Sequence, residues 1–149
     1  MFILTISPHL KDIVPNKDFQ TYYQKYNIHP LLIAENAQCS YLYAKFHLKD
    51  KFPLGEPVIA KDPHFSYHYA IYVLKGPFLL GESVIAKDSV YSYMYARDVL
   101  KGPFPEGEPT IAKDEYRSSR YVHEVLKKDF YINDDLICKY DPLNYVPLN

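Results

Sequence analysis

The stretch from Ile85-Ala86-Lys87-Asp88 through Ser92-Tyr93-Met94-Tyr95-Ala96 to Leu100-Lys101-Gly102-Pro103-Phe104 decides the fold, because each part recurs 26 residues away. The first block returns as Ile59-Ala60-Lys61-Asp62 and Ile111-Ala112-Lys113-Asp114. Weaker copies stand at Ile33-Ala34-Glu35-Asn36 and Ile137-Cys138-Lys139. The second block returns as Ser40-Tyr41-Leu42-Tyr43-Ala44 and Ser66-Tyr67-His68-Tyr69-Ala70, with a degenerate copy at Ser118-Ser119-Arg120-Tyr121-Val122. The third returns as Leu74-Lys75-Gly76-Pro77-Phe78 and in part around Phe52 and Phe130. A fixed period of this length is the signature of a repeat architecture.

Within one unit, the residues spell a short helix, a tight break and a longer helix. Asn36, Asp62, Asp88 and Asp114 stand at N-cap positions of the longer helix. Pro63 follows at the first helical position, where its missing N–H costs nothing. Lys49, Lys75, Lys101 and Lys127 fall in the last turn, where a cation favours the helix dipole. Gly76 and Gly102 are expected to take the left-handed C′ conformation, with Pro77 and Pro103 stopping propagation. The short helix is expected after Gly55, Gly81 or Gly107, with Pro57 and Pro109 in its first turn.

At 100° per residue, Ser66, Tyr67, Tyr69, Ala70, Val73 and Leu74 share one arc of about 160°. These positions recur between units, so this arc is the packing face. His64, Phe65, His68, Ile71 and Tyr72 fill the opposite, variable arc. A two-helix unit cannot bury its packing face alone, so neighbours must stack. The expected fold is all-α: one domain over 1–149, a short α-solenoid of two-helix repeats. Residues 1–27 form an N-terminal cap, 28–140 hold four units and a partial fifth, and 141–149 are an extended tail.

Composition narrows the function. Hydrophobic residues make up 48% and charged residues 23%, which excludes a disordered chain. Lys and Arg number 17 against 18 Asp and Glu, so the basic excess expected of a nucleic-acid binder is missing. Cys39 and Cys138 are the only cysteines, which excludes a cysteine-built zinc site and a disulfide scaffold. No apolar run approaches the length of a membrane span. The start, Met1 to Ile6, lacks a basic region and is cut off by Pro8, so it does not read as a signal peptide. The expected location is the cytoplasm.

The repeat Ser92-Tyr93-Met94-Tyr95-Ala96-Arg97-Asp98-Val99-Leu100-Lys101-Gly102-Pro103-Phe104, followed by Ile111-Ala112-Lys113-Asp114, resembles tandem repeats in uncharacterised proteins of bacteriophages, prophages and giant viruses. The resemblance spans residues 31 to 130 and implies a viral or phage accessory protein acting inside the host cell. Asp50 and Lys128 stand where Gly76 and Gly102 stand in the central units, so the outer loops depart from the pattern.

His64 and His68, four residues apart on one helix, could ligate a metal, but no HExxH surrounds them, and no metal or other cofactor is expected. His47 reads as a core histidine. Ser66 and Ser92 lie on the packing arc, and no acid, base and nucleophile set is apparent, so no enzymatic role is expected. The Asp62, Asp88 and Asp114 ladder reads as helix capping. On the variable arc, unit one carries Gln38, Cys39, Leu42, Lys45 and Phe46, and unit four carries Tyr116, Arg117, Arg120, His123 and Glu124. Its apolar residues, Phe46, Phe65, His68, Ile71, Tyr72, Tyr91 and Met94, form the expected partner face. The expected function is a non-enzymatic adaptor binding a host or viral protein, with self-association as a further use of the same face. The alternative is a nucleic-acid or nucleotide binder in the inter-repeat groove. No membrane partner is expected.

Overall fold

A computed structural model describes residues 28–145; the expected N-terminal cap (1–27) and the tail residues 146–149 lie outside the described residues. Among the described residues there are eight short α-helices, four π-helical turns and one two-stranded antiparallel sheet. The chain is mostly helical, as an all-α reading requires. The short helices are α1 (Pro30–Ile33), α3 (Glu56–Ile59), α5 (Leu79–Ile85) and α7 (Glu108–Ile111). The longer ones begin as α2 (Ala37–Leu42), α4 (Pro63–Tyr69), α6 (Ser89–Met94) and α8 (Glu115–Arg120).

The N-caps are where the sequence puts them. Asn36, Asp62, Asp88 and Asp114 each take extended backbone and accept a hydrogen bond from an N–H of the first turn. Pro63 opens α4, and Pro57 and Pro109 lie in the first turns of α3 and α7. The α5 helix differs by starting two residues before Gly81.

Each longer helix runs without a break into a wider π turn, over Tyr43–Leu48, Ala70–Leu74, Tyr95–Leu100 and Tyr121–Leu126. A π turn takes up about one residue more than an α turn. The 100° wheel therefore loses register in the second half of each helix. Ser66, Tyr67, Tyr69 and Ala70 are buried as expected, but Val73 and Leu74 are only half-buried. His47 is exposed rather than core, and lies stacked on Tyr43 at 4.9 Å between ring centroids. Cys39 and Leu42, expected on the variable arc, are each only 1% exposed.

The helix ends correct a second expectation. Positive φ falls on Lys49, Lys75, Lys101 and Lys127, between 53° and 56°, and on no glycine. Gly76 and Gly102 instead close the turn by donating to Ala70 O at 3.2 Å and Ala96 O at 3.1 Å. Gly55, Gly81 and Gly107 are needed for close approach. A Cβ on Gly81 would stand 2.5 Å from Phe78 Cδ1 and 2.8 Å from Ser66 Cβ.

The core repeats its polar contacts as well as its apolar ones. Ser40, Ser66, Ser92 and Ser118 each donate to the carbonyl of the isoleucine seven residues earlier, at 2.8 to 2.9 Å. Tyr69, Tyr95 and Tyr121 are 0% exposed. Each hydroxyl accepts from the backbone N–H of Phe52, Phe78 or Phe104 and donates to Glu56, Glu82 or Glu108. Every such tyrosine thus buries a ring, worth on the order of 2–3 kcal/mol, and ties a helix to the loop before it. Burial and the glutamate push these phenols far above their ordinary range. Among the described residues no buried side-chain polar atom lacks a partner.

The partial fifth unit is not helical. Phe130 keeps the slot of Phe52, Phe78 and Phe104, is 2% exposed and packs on Tyr121. Beyond it the chain turns back as a hairpin, β1 (Phe130–Ile132) and β2 (Asp135–Cys138). Asn133 and Asp134, at φ 50° and 69°, form a turn of the type that suits a two-residue hairpin. The tail is not extended over 141–145 either. The Asp141 carboxylate accepts from the N–H groups of Leu143 and Asn144, curling the chain.

Candidate ligand-binding grooves on the long-helix face

Successive longer helices touch, α2 with α4, α4 with α6 and α6 with α8. Equivalent side chains therefore meet across each junction, and the sequence decides what each meeting does. Between α4 and α6, the Tyr67 hydroxyl donates to Asp98 at 2.8 Å. Between α6 and α8, the Tyr93 hydroxyl donates to Glu124. Both carboxylates also hold arginines: Arg97 binds Asp98 at 2.6 Å, and Arg120 binds Glu124 at 2.8 Å. Burial raises the pKa of Glu124, but hydrogen bonds from Arg120, Tyr145 and Tyr93 outweigh it and hold the carboxyl down at about 2. Asp98 is likewise held low, its burial outweighed by Arg97 and Tyr67.

The junction between α2 and α4 is different, because Tyr72 occupies the slot of Asp98 and Glu124. The Tyr41 hydroxyl finds no carboxylate there and accepts from Lys45 Nζ at 2.8 Å. That ammonium sits 4.0 Å from the centroid of the Tyr72 ring. Two adjoining grooves open here, of about 350 Å³ and about 280 Å³. Tyr41, Phe46, Phe65, His68 and Tyr72 line the first; Lys49, Lys75 and Val73 line the second; Lys45 and Tyr72 are shared. Among the described residues, no carboxylate lines either groove.

The residues expected on the partner face are thus partly brought together. Phe46, Phe65, His68 and Tyr72 share one groove, with Tyr72 51% exposed and the others half-buried. Met94 lines a separate groove of about 270 Å³ with Arg97, Arg117 and Arg120. Tyr91 lies against His64 and Tyr67, and Ile71 packs toward the core; neither lines these grooves. Sequence reasoning missed Tyr41, placed wholly on the packing arc, and gave Lys49 and Lys75 only a dipole role. The i, i+4 spacing of Tyr41 and Lys45 was the available signal.

His64 and His68 are adjacent, with ring centroids 4.2 Å apart, and His68 Nδ1 lies 2.7 Å from His64 O. Burial, then the neighbouring His68, lowers the His64 value against the opposing pull of Asp62. No group of three metal-binding side chains occurs among the described residues. No described helix is long and apolar enough to cross a membrane. No protein-family model, curated protein or solved structure matches the chain.

Proposed function

We propose that the chain is a short α-solenoid that works as a non-enzymatic module, gripping a protein partner across the face of its longer helices. The carrying observation is the pair of adjoining grooves at the α2–α4 junction, where aromatic rings and lysines gather without a carboxylate. The 26-residue recurrence of the serine and tyrosine hydrogen bonds supports the stacked arrangement. The opposite stripe is spent on packing, which leaves this face for recognition. The candidate nucleophiles have structural work instead. Ser66 and Ser92 are fully buried on carbonyls, and burial pushes the Cys39 thiol up to about 11. The repeat resemblance makes the partner a host or viral protein.

A photo-crosslinking side chain at position 72 tests this, with one at Leu79 as the control, since Leu79 is 77% exposed and lines neither groove. Position 72 should yield one protein adduct of defined mass in the producing cell, and position 79 should not. Adducts of equal yield at both positions, or nuclease-sensitive adducts at 72, would refute the proposal.

A further inference from the structure

We infer that the grooves at the α2–α4 junction take an acidic linear segment of the partner, with one apolar or aromatic side chain as its anchor. This deepens the proposed function and rests on it. Lys45, Lys49 and Lys75 line the paired grooves, and among the described residues no acidic side chain shares that lining. The chain as a whole carries 17 basic and 18 acidic residues, so this concentration is a local segregation of charge. At the next junctions Arg97 is answered by Asp98 and Arg120 by Glu124. At the first junction Tyr72 stands in the carboxylate's place, and among the described residues the lysines of the two grooves meet no carboxylate in the lining.

Spacing favours an extended chain. Lys49 and Lys75 cap neighbouring helices at equivalent positions. Packed helices stand about 8–10 Å apart, and in an extended chain of the polyproline II type, with three residues per turn, side chains three residues apart share one face at roughly 9 Å. Carboxylates at such a spacing can meet both lysines. The groove between Phe65, His68 and Tyr72 then receives the anchor.

The protein itself shows how a segment seats on this face. Unit four has His123 where unit one has Lys45. The curled tail lays Tyr145 flat on His123, 4.3 Å between centroids and 5° between planes, and its hydroxyl donates to Glu124. A short stretch anchored by one aromatic ring therefore fits where no further helix follows.

Single-stranded nucleic acid fits less well, because it needs a row of exposed rings. The exposed rings among those lining this groove are His64 and Tyr72; His64 packs against Phe65 and His68, and Lys45 already covers one face of Tyr72.

The test is fluorescence anisotropy with the whole chain and three labelled probes. One is an acidic peptide of Asp and Glu around a central Phe, the second has Lys in place of every acid, and the third is an oligothymidylate. The acidic peptide should bind, weaken with added salt as expected of exposed charges, and outbind the basic peptide by about tenfold or more. Lys49→Glu with Lys75→Glu should abolish that preference and lower the thermal melt no more than Lys101→Glu with Lys127→Glu does, since all four side chains are exposed at equivalent helix ends. Lys101→Glu with Lys127→Glu should leave the preference intact. Tighter binding of the oligothymidylate, or indifference to the Lys49 and Lys75 changes, would overturn the inference. If position 72 still crosslinks a protein while the acidic peptide fails to bind, only the partner chemistry falls. If crosslinking also fails, the proposed function falls with it.

Discussion

Gly81 and Gly102 look alike in sequence, yet they do different things. Gly81 is buried beneath Phe78 and against Ser66, where a methyl group has no room. Gly102 has open space, with Leu100 O at 3.9 Å as the nearest atom, and its φ is not positive. Gly81→Ala should therefore cost about 1–3 kcal/mol through overpacking. Gly102→Ala should be neutral or should stabilise by roughly 0.4–1 kcal/mol through the unfolded chain. Urea midpoints of the two variants check the contrast; equal losses would refute it. The reading that glycine serves positive φ here was mistaken because lysine carries it, at a cost of roughly 1–2 kcal/mol per residue. Nothing in lysine's chemistry advertises that conformation. What all four lysines share is the π turn that ends on them.

The start of each longer helix was legible, and its end was not. Starts depend on one side chain reaching its own first turn, which is a local event. Asp88 accepts from Val90 N at 2.9 Å and Tyr91 N at 3.0 Å. Asp88→Ala should lower stability by about 1 kcal/mol, while Asp88→Asn should cost little, because both Asp and Asn cap well. Thermal denaturation distinguishes them, and an asparagine variant as unstable as the alanine one would show that charge matters more than the cap. The π turns were not legible, since their extra residue trades backbone geometry against packing of Tyr69, Tyr95 and Tyr121 on loops 17 residues earlier. The C-terminal hairpin left a partial trace in Asn133-Asp134 between Phe130-Tyr131-Ile132 and Leu136-Ile137-Cys138, which the helical period overshadowed.

Across the whole molecule, Glu124 joins three parts of the chain: Tyr93 from α6, Arg120 from α8 and Tyr145 from the tail. Its folded carboxyl titrates at about 2, below the ordinary 4.5. The stabilisation is therefore fully present above the unfolded value, and is lost as pH falls from about 4.5 toward 2. Unfolding free energies across that range should fall less steeply in Glu124→Gln than in the parent; an unchanged acid limb would mean the junction contributes nothing. The same scale governs the candidate site. Phe46, Phe65, His68 and Tyr72 were foreseen because they break the polar pattern of an exposed arc. That they share a groove, and that Met94 does not, depends on which helices abut. The sequence alone determined the period, the N-caps and the buried serine, tyrosine and alanine stripe, because these follow from local geometry and from apolar burial repeated unit by unit. Tertiary structure alone decided the helix ends, the hairpin that replaces a fifth unit, and the cationic character of the first groove. Those depend on which side chains meet across a junction, and residues 31 apart, as Tyr67 and Asp98 are, leave no local sign of meeting.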